Sequence, residues 1–452
     1  MTQILPLPPG AVDPGAAPVT SVDQLVERLA RGAKTGTLKV GTEHEKLGIR
    51  LKDGSRVPYE GPDGLGAMLV EMAEKYGHTL VEEAGRPIAL SRRGAAVSLE
   101  PGGQLELSGA PHVSLHDAEK ELDEHLREVA SVAGPRGVAF YGVGFDPLHG
   151  NDAIPWMPKS RYRTMAQHMR ASGNLGVDMM LRTCTVQANL DYRSEADMGL
   201  KLQTGLGISS VVTALFAASP FVERHPAGWQ SHRMRTWLDT DNTRVGLLRF
   251  ALEEPATFRA YVEWALDVPL IFIRRGADYL PPPKGLTFRR WMGGVDGLEH
   301  PTLNDFDDVL STLFPDVRLK TYLEVRTADC GPRAHLLALP ALWKGILYDE
   351  GARKRAWPLV SRLTFRDHVE LREAAARHGL RARVAGLDAA EAAVELCLAA
   401  QDGLRAQGCS DEAGYLEPML ARARSRRTLA DEMLDYRQGE WPELGGNLTR
   451  LC

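Results

Sequence analysis

Gly41-Thr42-Glu43-His44-Glu45-Lys46 sets two carboxylates one residue apart, in a stretch read as a strand running on to Ile49. Along an extended chain alternate side chains share a face, so Glu43 and Glu45 point the same way. Like charges side by side repel, and a fold tolerates them inside only where a cation or a proton neutralises them. The same polar alternation recurs in Leu105-Glu106-Leu107, in Gln187-Ala188-Asn189-Leu190-Asp191 and in Tyr322-Leu323-Glu324-Val325-Arg326. In the last, Tyr322, Glu324 and Arg326 take one face while Leu323 and Val325 take the other. One surface of a sheet is therefore expected to carry acids, amides and an arginine. Hard oxygen donors from several strands suit Mg²⁺, which bridges carboxylates to phosphates and so implies ATP. Taken alone, the Glu43/Glu45 pair equally fits a solvated edge strand, and Glu100 and Glu106 equally fit turn-flanking surface positions.

Outward from these strands the chain alternates helices, hairpins and turns. Residues 1–20 read as a flexible Pro/Gly-rich leader. Ser21 is an expected N-cap for a helix over 22–29, ended by Gly32. A helix over 65–76 is stopped by Gly77. Residues 96–108 read as a hairpin around Pro101-Gly102-Gly103, with Glu100 and Glu106 on opposite arms. Residues 116–132 form a charged amphipathic helix and 137–145 a strand. Residues 154–176 are read as loop with short helix, 179–192 as a strand, and 194–218 as a long, partly buried helix. A polar loop over a site is expected at 237–250, then a helix over 255–266 and a short strand over 268–274. From 364 onward the pattern turns to helices rich in Ala, Leu, Glu and Arg. The whole predicts α+β architecture with a mainly antiparallel sheet. Residues 21–452 are taken as a single catalytic domain, with 364–452 a helical flank.

Bulk properties exclude several classes. The chain has 452 residues with 54 basic and 59 acidic side chains, a net charge of -5, so no nucleic-acid footprint is present. No apolar run reaches membrane-spanning length. The five cysteines (Cys184, Cys330, Cys397, Cys409, Cys452) form no C-x-x-C, and an odd, sparse set fits a reducing cytosol. With no signal peptide or plastid leader read at the N-terminus, the expected location is cytoplasmic. Asn447-Leu448-Thr449 is a glycosylation sequon without meaning there. Gly32-Ala33-Lys34-Thr35 lacks the P-loop spacing, Gly142-Val143-Gly144 lacks a third glycine, and no G-x-S-x-G or H-E-x-x-H occurs. Phosphate chemistry must use another scaffold.

Basic partners complete the pattern. Arg326 shares a face with Glu324, which a plain intrastrand ion pair also explains. Arg233 and Arg244 flank Trp237-Leu238-Asp239-Thr240-Asp241, where arginine's planar fork would clamp an acidic substrate, although solvated surface charge is the other reading. Lys159, Arg161 and Tyr162 are open in the same way. Cys184 is read as a packed core thiol.

Longer blocks carry a family signature. The stretches 41–46, 99–111 (Leu-Glu-Pro-Gly-Gly-Gln-Leu-Glu-Leu-Ser-Gly-Ala-Pro), 180–187, 237–241, 314–320 and 322–326 closely resemble the plant and α-proteobacterial type of glutamate–cysteine ligase, over about residue 20 to Gly439-Glu440-Trp441. That resemblance implies a glutamine-synthetase-like carboxylate–amine ligase, whose antiparallel sheet forms a funnel around Mg²⁺ and ATP. It also implies small-molecule partners only: glutamate, cysteine and ATP, giving γ-glutamylcysteine, ADP and phosphate, the first step of glutathione biosynthesis. By the same resemblance Glu43, Glu45, Glu100, Glu106 and Glu324 are the expected metal carboxylates. Arg326 is expected at the transferred phosphate, with Gln187 and Asn189 beside the metals. Arg233 and Arg161 would hold glutamate carboxylates, Tyr162, Met165 and Thr183 would border the cysteine pocket, and Arg244 joins Arg326 on the nucleotide. Another acceptor amine, or a noncatalytic relative, stays open, as does oligomeric state. The plant enzymes carry cysteines around the loop matching 279–294; here it has Pro281-Pro282-Pro283 and none, so thiol regulation is not carried over.

Overall fold

The computed structural model describes residues 14–435, which leaves the sequon at 447–449, Cys452, the block at 439–441 and most of the expected leader outside the described residues. At its described end that leader packs: Val19 is fully buried and its N–H donates to the Pro301 carbonyl at 2.8 Å.

Nine strands make one antiparallel sheet: β1 (Val40–Arg50), β2 (Thr79–Glu83), β3 (Arg86–Arg92), β4 (Ala95–Leu99), β5 (Leu105–Ser108), β6 (Val138–Tyr141), β7 (Thr185–Leu190), β8 (Val317–Leu319) and β9 (Leu323–Asp329). Their order is β8-β9-β7-β1-β5-β4-β3-β2, with β6 pairing the second half of β1. Two-residue loops, Ala84-Gly85 and Arg93-Gly94, close the β2–β3 and β3–β4 hairpins with φ positive at all four residues. That is the twist-matched hairpin turn, and a glycine takes its second position at no steric cost.

The principal helices are α1 (Val22–Ala30), α2 (Leu65–Tyr76), α3 (Leu115–Ala133), α4 (Ser160–Ser172), α5 (Gly176–Arg182), α6 (Glu195–Leu215), α7 (His232–Trp237), α8 (Arg333–Leu347), α9 (Phe365–His378) and α10 (Ala389–Ala406). Gly77 ends α2 in the left-handed region, as its position after Tyr76 predicts. From Met198 to its end α6 is buried almost all round, which suits its small apolar residues.

Alternation divides the sheet into two faces. Val186, Ala188 and Leu190 of β7 and Leu323 and Val325 of β9 enter the apolar core with α6 and α8. Gln187, Asn189, Glu324 and Arg326 are thereby turned to the opposite face. Farther along, Leu105 and Leu107 of β5 are buried with Val97 and Leu99 of β4, leaving Glu106 and Ser98 on the polar side. Apolar residues of the C-terminal helices, among them Leu371, Leu396 and Leu404, belong to the same cluster as those of β7 and β9. Arg372 of α9 also reaches back to Asp316, just before β8, through two hydrogen bonds of 3.0 and 2.9 Å.

Four segments differ from the sequence expectation. Residues 179–182 finish α5, so β7 starts only at Thr185; a short apolar run such as Met179-Met180-Leu181 has no periodicity that separates helix from strand. Residues 160–172 are a full helix. In the 268–274 segment only Ile273–Arg275 is extended, paired with Asp278–Leu280. The expected loop at 237–250 starts as the end of α7 and finishes in a helix over Arg249–Glu253.

Candidate active site

Register brings the polar residues together. Glu45 of β1 stands opposite Glu106 of β5, and Glu43 opposite Gln187 of β7. Asn189 of β7 stands opposite Glu324 of β9, which itself faces Arg318 of β8. Directly opposed residues have Cβ atoms only about 5 Å apart, so these five adjacent strands assemble one continuous polar surface.

A cavity opens over this surface, lined by Glu43, Glu45, Glu100 and Glu106 together with Arg161, Arg233, Arg318 and Arg326. Tyr162 and Met165 of α4, Thr183, and Gln187 also line it. A larger depression of about 460 Å³ beyond Tyr162 is walled by Arg86, Lys159, Arg163 and Arg170, with Glu83 as its one acid. Glu43, Glu45, Glu100 and Glu106 lie outside it.

Each acid has a distinct setting. Glu43 accepts the Asn189 amide at 2.8 Å and the Gln187 amide at 3.2 Å. Glu45 accepts the Thr185 N–H at 3.0 Å, and Glu106 the Ser108 hydroxyl at 3.0 Å. Burial pushes the Glu45 carboxyl well above the usual range, and the charges of Glu106 and Glu100 push it further, while Arg233 and the Thr185 N–H pull it back. Burial likewise raises Glu106, reinforced by Glu100. Oε1 of Glu100 is buried with no hydrogen-bond partner.

These three carboxylates therefore present a buried negative cluster with an orphaned acceptor, a donor set that fits a hard cation. Among the described residues no three such groups already stand at direct ligating spacing. Mg²⁺ retains waters, so the fit rests on hard oxygen chemistry and not on a preformed cage.

The cationic side is locked differently. Arg318 grips Glu324 with two bonds of 2.7 and 2.9 Å, Lys320 adds one of 2.9 Å, and Arg326 adds one of 2.5 Å. Burial works against the charge of Glu324, but these three cations hold its carboxyl well below the usual range. Arg326 also donates to Gln187 Oε1 at 2.9 Å. Arg233 is almost fully buried; Nη2 donates to the Arg326 carbonyl at 2.8 Å, while Nε and Nη1 have no partner.

Not every expected residue reaches the cavity. Glu324 is fully buried behind its cations and does not line it, and Asn189 acts on it only through Glu43. Arg244 is turned away from it: Nε bonds Asp241 at 2.6 Å and Nη2 the Pro269 carbonyl at 2.5 Å, fixing the 239–244 loop instead of facing a ligand. Tyr162 donates to the Leu99 carbonyl at 2.8 Å and Thr183 to that of Met179 at 2.6 Å, so both hydroxyls brace the wall. Arg161 lies over the Phe272 ring, 5.8 Å from its centroid.

Residue-by-residue reading passed over Arg318 and Lys320. Their alternation in Val317-Arg318-Leu319-Lys320, a few residues before Glu324, is the signal of a second cationic strand in a hairpin. Trp237 and Phe314, which also line the cavity, carried no signal beyond their blocks.

The antiparallel sheet thus brings carboxylates and arginines over one cavity. The fold is shared with a solved Glutamate–Cysteine Ligase from Francisella tularensis in complex with AMP, at TM-score 0.56 and 12% identity, over 91% of this chain and 87% of that one. The chain belongs to the family described as Glutamate-cysteine ligase family 2, whose model matches residues 39–452. It is 41% identical to the chloroplastic glutamate–cysteine ligase of Medicago truncatula over 94% of this chain and 84% of that protein. Against the chloroplastic enzyme of Arabidopsis thaliana it is 41% identical over 94% of this chain and 81% of that protein.

The cytoplasmic expectation is overturned by these relatives, which are named as chloroplastic. The cysteine argument could not discriminate, since scarce, unpaired thiols report a reducing surrounding and not which compartment supplies it. Among the described residues all four cysteines are free, and no helix is long and apolar enough to cross a membrane.

Proposed function

We propose that the chain joins the γ-carboxylate of glutamate to the amino group of cysteine, converting ATP to ADP and phosphate, with Mg²⁺ as cofactor. Family membership supports the ligase class. The observation that carries the assignment to this cavity is that Glu45, Glu100 and Glu106 line it together with Arg233, Arg318 and Arg326.

A free carboxylate does not condense with an amine at neutral pH because its leaving group would be oxide. Phosphorylation converts that oxygen into part of a phosphate leaving group. The glutamate γ-carboxylate oxygen attacks the γ-phosphorus, ADP departs, and the γ-glutamyl phosphate forms. The cysteine nitrogen then attacks the acyl carbon, loses a proton, and phosphate leaves. Mg²⁺ held by Glu45, Glu100 and Glu106 would supply neutralisation of phosphoryl charge. Arg326, oriented in advance by Glu324 and Gln187, stabilises the charge that shifts during transfer. Arg233 offers its two unpartnered nitrogens to a substrate carboxylate. Tyr162, Met165 and Thr183 shape the wall against which cysteine is placed. No enzyme nucleophile is needed; the work is positioning and electrostatics.

The test is ADP formation with glutamate, MgATP and cysteine, with 2-aminobutyrate as a parallel acceptor and product mass confirmed. The expected result is ADP release dependent on both amino acids, with γ-glutamylcysteine formed. ADP release indifferent to glutamate, or lacking a γ-glutamyl product, would overturn the proposal.

A further inference from the structure

Asp329 closes β9 just behind the cavity and is 1% exposed, yet nothing in the proposed chemistry uses it. Its carboxylate accepts three hydrogen bonds. Oδ1 accepts the Ser231 hydroxyl at 2.7 Å; Oδ2 accepts the Ser219 hydroxyl at 2.6 Å and the Ala218 N–H at 2.9 Å. The two serines pass the constraint on. Ser231 is the N-cap of α7 and accepts the Met234 N–H at 3.1 Å, while Ser219 accepts the N–H of Arg233 itself at 3.1 Å. A helix of six residues is marginal by itself, so its start needs such external anchors.

The same residue is held at its other end by the same strand. The Arg233 guanidinium hangs from the Arg326 carbonyl of β9 at 2.8 Å. Backbone and side chain of Arg233 are thus both referred to β9. Space around the hub is tight: a Cβ on Gly144 would stand 2.3 Å from the Asp329 Cγ, so no bulkier residue fits there. Asp329 and Glu45 also offset the cost of keeping the buried Arg233 charged.

We propose that Asp329, through Ser219 and Ser231, is a positioning residue for Arg233, fixing where that guanidinium meets the substrate carboxylate. The inference rests on the functional reading above. Asparagine cannot replace Asp329 in this role. It has one acceptor oxygen and no charge, and its NH₂ would stand where a carboxylate oxygen now accepts a serine hydroxyl, leaving that hydroxyl proton without its acceptor.

The test is steady-state kinetics of Asp329→Asn in the full chain, in the wild-type and Arg233→Lys backgrounds, with thermal melts alongside. A guanidinium displaced by about 1 Å costs up to 10²-fold. Asp329→Asn is therefore expected to raise the KM for glutamate roughly tenfold, with the KM for ATP little changed. In the Arg233→Lys background the same substitution should add less than about twofold, the non-additivity of residues that act as one unit. A full tenfold rise in that background too, or an unchanged glutamate KM in a folded Asp329→Asn protein, would overturn the proposal. Should Asp329→Asn fail to fold, Ser219→Ala is read by the same criteria. If Arg233→Lys alone leaves the glutamate KM unchanged, the placement of Arg233 at the substrate falls instead, and with it this role.

Discussion

Arg326→Ala separates catalysis from stability, because the structure lets each cost be worked out. The lost guanidinium makes two bonds, to Glu324 at 2.5 Å and to Gln187 at 2.9 Å. Glu324 is not orphaned by the change, since Arg318 retains its two-pronged grip and Lys320 its single bond. The stability loss is then at most that of two hydrogen bonds from a charged group, about 3–6 kcal/mol. The chemical loss is read directly in the rate. Removing one preorganised donor from a developing negative charge costs about 10²–10³ in kcat. The assay is coupled ADP release at saturating MgATP and glutamate, varying cysteine. The expectation is a kcat lower by about 10²–10³, with the cysteine KM within a few-fold of normal. A variant with normal kcat and only a weakened cysteine KM would refute the placement of Arg326 at the transferred phosphoryl group.

Glu45→Gln and Glu106→Gln should each leave the fold intact, sharply weaken turnover and blunt its Mg²⁺ dependence. Because burial and neighbouring carboxylates raise both groups, the ligand-free variants should melt no lower than the parent; near-normal activity in both would sink the metal assignment. Arg372→Met leaves Asp316 buried without its partner and should cost about 3–5 kcal/mol by urea unfolding, against under 1 kcal/mol if the pair were solvated. For pH, His125 and His335 are held down to about 3 by burial, while the unfolded chain titrates near 6.5. The unfolded state therefore binds more protons below that value, and stability is full above about pH 6.5 and falls toward pH 3. At pH 5 the loss is about 2 kcal/mol per histidine, and His335→Leu should flatten the pH profile of the unfolding free energy by about that amount.

The carboxylate strands were legible because a period of two is a strong signal wherever one side of a sheet is apolar. Val186, Ala188 and Leu190 fixed the core side of β7, and with it the outward side of Gln187 and Asn189. The resemblance supplied the family, which alternation alone does not specify. What escaped was set by tertiary contact. Arg244 and Arg233 flank the same loop and look alike in sequence, yet Asp241 captures the first while β9 delivers the second to the cavity. Glu324 reads like Glu45 in its strand, but Arg318 on the neighbouring strand takes both its oxygens. The β2–β3 hairpin was missed because Ala84-Gly85 is a weaker turn signal than the Pro-Gly-Gly that drew attention to β4 and β5.

β1 works as a phase standard for the whole protein. It pairs with β7 over Val40–His44 and with β5 over Glu43–Lys46, so both flanks are bonded at Glu43 and His44, and its parity decides which of its own side chains meet the cavity. Deleting His44 would put Glu43 and Glu45 on opposite faces, sending one of the two acids to the α3 side whichever half of the strand moves. No compensation elsewhere could repair this, since both neighbours would have to shift together. Length changes should therefore be tolerated in the exposed turn at 51–53 and forbidden across 40–46, so a scan of single-residue deletions would trace the strand as a sharply bounded gap.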